Sequence, residues 1–366
     1  MTLSGQIPMR GPDAASYPVR TSSPARAGGI SRGGDMDRRG CLRVLGGAVV
    51  TTTLPPRVRA GAAAPVSVQW ALHTPLAALP VRLAERLGYF AAEGVAVALA
   101  PHGSASAAAL DPDAVRVHAG AFDFVLRQQL HGQPEQAFLA LVRTPQLGFG
   151  WRHPAPAQGQ GLAAAPVRVG VLAGDRMAPA IAALVLQGQG VAPGQVQYPT
   201  LGDVAHTQTL LASGTIDAVC LGDPMLTQLQ RQGAIRLVAD TRHPSDSQRL
   251  LGGPVLCACL SAPEPQVRRH GAELQSVARA VRRALRWLQT AGPSDLARHA
   301  DLGGFAGDPS LFLSILMHTR GAFSPDGTLE PQAVQQVLRV LYAQPQGMDY
   351  DSLDPTRLYT TRLLPT

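Results

Sequence analysis

The chain has 366 residues, 45% apolar and 16% charged, enough to fill two ordinary domains or one large one and too apolar for a disordered chain. Its net charge of +7 lies almost wholly in residues 1–62, where nine arginines face three aspartates. The remainder carries 23 basic against 22 acidic residues, so the body of the protein offers nucleic acid no basic footprint. Every basic side chain is an arginine; the lack of lysine excludes Schiff-base chemistry, pyridoxal-phosphate anchoring and a Walker-type phosphate loop.

Residues 1–35 are rich in Pro, Ser, Gly and Arg and show no periodicity. They read as an extension, with translation starting at Met36. Residues 36–62 have the parts of an export signal: Arg38 and Arg39, an apolar run from Val44 to Leu54, and small residues from Ala60 to Ala64. The run is shorter than the roughly 20 residues of a membrane span. Arg38-Arg39 with Leu42 resembles the twin-arginine export signature, a general secretory signal being the rival. Cys41 precedes the apolar run, which argues against a lipoprotein, and cleavage is expected after Ala60 or Ala62. The expected location is the periplasm.

From Val66 onward strands and helices alternate, which predicts an α/β protein with mostly parallel sheets. Strands are expected at 66–71, 95–99, 122–126 and 137–142, with a helix at 79–87 closed by Gly88. After a Pro/Gln/Gly linker at 154–166 the plan restarts. Strands are expected at 167–172, 196–198, 216–221 and 235–239, and helices at 178–187, 204–211 and 225–230. A strand at 255–260 leads into helical sequence, with the longest helix at 272–288. Gly120 to Leu126 and Gly214 to Cys220 echo each other, as two related lobes would.

Four segments in order carry a family likeness: Gly88-Tyr89-Phe90-Ala91-Ala92-Glu93-Gly94-Val95, Gly120 to Phe124, Val169 to Gly174, and Gly214 to Val219 followed by Gly222-Asp223-Pro224. Together they resemble the nitrate/sulfonate/taurine and thiamine-precursor periplasmic binding proteins. The resemblance implies a two-lobed fold, each lobe a mostly parallel sheet flanked by helices, with two crossing strands near 146–152 and 251–260. Lobe one would take residues 63–148 and 253–345, lobe two 149–252, and 346–366 would be a C-terminal tail. It also implies a monomeric, non-enzymatic substrate-binding component of an ABC importer, which meets a small ligand, an inner-membrane permease and its ATPase, and needs no cofactor or metal. The alternatives are an enzyme on the same fold, acting in thiamine-pyrimidine or menaquinone synthesis, and an adaptor presenting ligand to a sensor.

Open α/β sheets bind ligands beyond the carboxyl ends of their strands, where helix N-termini expose free N–H groups. That rule selects His73, Thr74, Ser104, Arg127 and Gln128 in the first lobe and Gly174, Asp175, Arg176 and Asp223 in the second. Arg127 and Arg176 offer fork-shaped donors to a sulfonate, nitrate or carboxylate, one from each lobe; the competing reading is a surface or interlobe salt bridge. Asp223 is read as a helix cap or a partner for a ligand amine, and His73 as a cap or a ligand donor. Asp123 and Asp217 are expected at matching strand positions in structural hydrogen bonds. Cys220, Cys257 and Cys259 are read as buried apolar residues, with a redox or metal role as the alternative.

Overall fold

The computed structural model describes residues 64–70, 76–154, 166–300, 308–342 and 353–364; the expected extension and export signal, His73, Thr74 and most of the linker lie outside them. β1 (Val66–Trp70) leads to α1 (Leu79–Arg86), α2 (Tyr89–Ala92), β2 (Val97–Pro101), α3 (Ala105–Ala108) and β3 (Val115–Ala121). Gly88 follows α1 with a left-handed φ of 69°, as its predicted place at a helix end requires. Next come α4 (Phe122–Leu130) and β4 (Glu135–Val142).

The strand expected at 122–126 is instead the start of α4. Phe122, Val125 and Leu126 fall at helical spacing and are buried, and the third strand is the preceding run, in which Val115, Val117 and Ala119 alternate inward.

The second lobe contains β5 (Leu147–Arg152), β6 (Val167–Gly170), α5 (Met177–Gln187), β7 (Val196–Gln197), α6 (Val204–Ala212), β8 (Ala218–Gly222), α7 (Met225–Arg231), β9 (Ile235–Asp240) and α8 (Pro244–Leu251). The chain then returns through β10 (Ala258–Pro263) to α9 (Glu264–Arg269), α10 (Gly271–Thr290), α11 (Pro293–His299), α12 (Pro309–Thr319) and α13 (Pro331–Tyr342). Among the described residues no helix is long and apolar enough to cross a membrane.

The two sheets share one plan. Their strand orders are β2-β1-β3-β10-β4 and β7-β6-β8-β5-β9. In each the fourth strand is the crossing strand and runs antiparallel to both neighbours, while the first three are parallel. This is the two-lobed, mostly parallel architecture that the resemblance implies. The internal echo pairs the wrong aspartates, however. Gly214, with φ 69°, lies between α6 and β8, and Asp217 precedes β8, whereas Gly120 lies within β3 and Asp123 within α4. The counterpart of Asp123, just past the third strand of its sheet, is Asp223.

The first lobe's core is built on α10, whose Leu274, Val277, Val281, Leu285 and Leu288 form a buried stripe facing α1 and α2. Each such side chain contributes about 1.5–3 kcal/mol on burial. A second cluster joins the lobes: Phe122, Leu126 and Cys259 belong to it together with Phe149, Val169 and Ile181, and with Val334, Val337 and Leu341 of α13.

Candidate functional site

Strand register decides which edge of each sheet meets the other lobe. Leu147 opens β5 opposite Gly222, the last residue of β8, and Gly148 pairs with Asp240, the last of β9. Ala258 opens β10 opposite Ala121 and Val142, which end β3 and β4. The crossings therefore leave from the carboxyl ends of the parallel strands, and those ends face the opposite lobe. Two clasps fix this edge. Thr241, fully buried, gives its N–H and its hydroxyl to the Leu147 carbonyl, both at 2.8 Å. The Phe122 N–H bonds the Cys257 carbonyl at 3.0 Å, fastening the start of α4 to the returning chain.

Asp123 makes one of the interlobe contacts. One oxygen, Oδ2, lies 3.1 Å from Arg127 Nε, one helical turn on. The other, Oδ1, faces Arg176 Nε across the lobes at 4.0 Å. Oδ1 is buried and accepts no hydrogen bond, so the interlobe pair is coulombic. Burial raises the Asp123 carboxyl above the usual carboxylate range, opposed by the charges of Arg127 and Arg176. The Arg127 side chain is 46% exposed and that of Arg176 29%.

Arg176 owes its place to Asp175. Asp175 Oδ1 accepts from the N–H groups of Met177 and Ala178, both at 2.9 Å, and so caps α5. Gly174, with φ 76°, makes the preceding left-handed turn. The structure thus brings Arg127 and Arg176 together at Asp123, with Gly174 and Asp175 shaping the turn before Arg176.

The other predicted residues that the structure describes make local contacts of their own. Ser104 caps α3, accepting from the Ala107 N–H at 3.1 Å and donating to the Pro101 carbonyl at 2.7 Å. Gln128 donates to Gln133 at 3.2 Å. Asp223 is 1% exposed and fully engaged: Oδ1 accepts from the Thr227 N–H at 3.1 Å and hydroxyl at 2.6 Å, and Oδ2 from Arg242 at 3.0 Å. Arg242, 3% exposed, also grips both oxygens of Asp240, at 2.8 and 2.6 Å.

Asp217, expected in structural hydrogen bonds, makes them, receiving Arg168 in a bidentate pair with both contacts at 3.0 Å. Cys220, Cys257 and Cys259 are free thiols, and burial pushes all three well above the ordinary cysteine range.

Sequence reading misses Arg242, which caps the second lobe's edge from a loop with no motif. It also misses His118, whose ring stacks on Phe124 at 4.0 Å and would lie 2.7 Å from a Cβ at Gly120. Two concave surfaces, about 230 Å³ beside Gln129 and Arg357 and about 540 Å³ beside Leu184 and Arg249, are not lined by Asp123, Arg127 or Arg176.

No family model and no curated protein matches the chain. Solved structures do. A protein of Bordetella bronchiseptica RB50 is 28% identical, with a TM-score of 0.66 over 82% of this chain and 96% of its own. The periplasmic aliphatic sulphonate binding protein SsuA of Escherichia coli is 16% identical, with a TM-score of 0.57 over 77% of this chain and 86% of its own. The periplasmic nitrate-binding protein NrtA of Synechocystis PCC 6803 is 12% identical, with a TM-score of 0.57 over 82% of this chain and 87% of its own. A desulfurization enzyme, DSZB, also matches, at 15% identity and a TM-score of 0.53 over 81% of this chain and 97% of its own. The chain therefore has the fold of the periplasmic sulfonate- and nitrate-binding proteins SsuA and NrtA.

Proposed function

We propose that the chain is the exported, non-enzymatic solute-binding component of an ABC importer, and that it captures a small anion between its lobes. The observation that carries this reading is the convergence of Arg127 from one lobe and Arg176 from the other on a single carboxylate, Asp123. Two guanidiniums around one carboxylate offer fork-shaped donors that suit a sulfonate, nitrate or carboxylate ligand. Asp123 occupies the arginines until such a ligand arrives, so the ligand binds by competing for donors already in position. The likeness to sulfonate- and nitrate-binding proteins supports the same ligand class.

The likeness to DSZB keeps an enzymatic reading in view. Against it stand the three described cysteines, which burial holds as thiols rather than reactive thiolates. The interlobe edge offers paired cations for holding an anion. Delivery to a membrane permease and its ATPase follows from the transport reading.

A thermal-shift screen of the purified chain against sulfonates, nitrate, carboxylates and neutral pyrimidines tests the proposal. Stabilisation should follow anion concentration over its dissociation constant. A response to a neutral pyrimidine alone would overturn the anion reading, and turnover of a stabilising compound would overturn the transport reading.

A further inference from the structure

Away from Asp123, a second cluster spans the lobes. Asp240 ends β9, His243 precedes α8, and His318 lies in the last turn of α12. One ligand atom from each lies within 4.8 Å of the other two. His318 Nε2 is 3.4 Å from Asp240 Oδ2, and the His243 and His318 rings meet edge to face at 4.3 Å between centroids.

The charge around this cluster favours a cation. Among the described residues Arg242 is the single guanidinium paired with both Asp223 and Asp240, so this network holds two carboxylates against one positive charge. Its net −1 lies almost wholly out of water on the Asp223 side, where Asp223 and Arg242 are 1% and 3% exposed. It opens toward His318, which is 44% exposed. Asp240 Oδ2 already accepts from Arg242 at 2.6 Å and has a second lone pair for a metal. A cation at the histidines completes the neutralisation that Arg242 leaves half done.

We propose that Asp240, His243 and His318 form a transition-metal site, taking a Zn²⁺-class ion, with ligands drawn from both lobes. Two imidazoles and one carboxylate suit Zn²⁺, Co²⁺ or Ni²⁺ and not Ca²⁺ or Mg²⁺, which prefer all-oxygen sets. Water completes the coordination. Asp240 and His243 belong to the second lobe, while α12 buries Leu311, Phe312, Ile315 and Leu316 in the first lobe's core. Arg231 of α7 donates to Ser314 of α12 at 3.1 Å and already draws the two surfaces together. A bound ion ties α12 to the end of β9, so metal binding and lobe contact are one equilibrium. The site rests on residues distinct from the anion contact, and either proposal can fail without the other.

The test uses the full chain without a polyhistidine tag, stripped with chelator. Zn²⁺ titration by calorimetry should give one ion per chain, and Co²⁺ should give a visible d–d absorption band of a nitrogen- and oxygen-bound ion. His318→Ala and His243→Ala should each weaken Zn²⁺ binding by at least about tenfold and remove the band. His318 is exposed, so its variant folds whatever the outcome for metal; an unchanged chelated melting temperature confirms this. Absence of stoichiometric Zn²⁺ binding by the wild-type chain overturns the proposal. So does binding that survives in the His243→Ala/His318→Ala double variant, which would place the ion on other histidines.

Discussion

Asp123 and Asp223 hold the same place in their two sheets, each just past the third strand, yet one meets an arginine of the opposite lobe and the other is sealed within its own. The difference is the arginine each one meets. Arg242 comes from the same lobe and encloses Asp223 at 3.0 Å, whereas Arg176 comes from the opposite lobe and stops 4.0 Å from Asp123. A repeated position is thus closed within its own lobe in one case and meets the opposite lobe in the other.

From that asymmetry, removing the internal competitor should tighten anion binding. Asp123→Asn keeps the shape and removes the charge, so the affinity of the best anion from the screen is expected to rise. Arg176→Ala and Arg127→Ala should each weaken it, Arg176 more strongly because it is the less exposed. Isothermal calorimetry on the three variants decides; weaker binding by Asp123→Asn would mean that the carboxylate itself receives a ligand donor.

Arg242→Ala should act on stability. It strips the shared partner from Asp223 and Asp240 and leaves uncompensated buried charge, at a cost of about 3–5 kcal/mol. Urea unfolding should show the loss with or without an anion present.

Glu135 supplies the pH dependence. It is 5% exposed and hydrogen-bonded to Ser261 at 2.9 Å, and burial pushes its carboxyl up to about 7. The folded state therefore holds a proton that the unfolded chain has already released. The contribution is fully present below pH 4.5, the ordinary value for a free glutamate, and is lost as pH rises toward about 7. The full loss is about 3 kcal/mol. Glu135→Gln should melt higher than wild type at pH 8 and close to it at pH 4.5, and a gain independent of pH would contradict the assignment.

Gly148 tests the crossing strand. An added Cβ would lie 2.5 Å from Leu226 Cδ2 and 2.8 Å from Leu237 Cδ1, and Leu226 is fully buried. Gly148→Ala is expected to destabilise by about 1–3 kcal/mol through overpacking, read from its denaturation midpoint.

Much of the fold is legible because strand–helix alternation is written in apolar spacing, and both arginines that meet Asp123 follow from the rule that ligands meet strand carboxyl ends. The third strand is misplaced for a physical reason. Phe122-Asp123-Phe124-Val125-Leu126 satisfies a period of two through Phe122, Phe124 and Leu126, and a helical period through Phe122, Val125 and Leu126. Only the neighbouring strand, paired to β1 and β10, arbitrates. β5 is hard to read as a sheet strand because Gly148 and Gly150 lack side chains, which the close approach of Leu226, Leu237 and Ile235 requires. The link between His318 and Asp240 spans 78 positions and arises from tertiary packing alone.

The shared fourth-strand position also sets an order of assembly. The second sheet is written without interruption from Leu147 to Asp240, so it can close as soon as that stretch leaves the ribosome. The first sheet cannot: β3 and β4 have no ladder between them until β10, from Ala258 onward, slides into the gap. The later-made lobe is therefore the earlier to mature. A chain cut short before Ala258 would hold one finished sheet and one with an unpaired edge, the form that invites pairing with another chain.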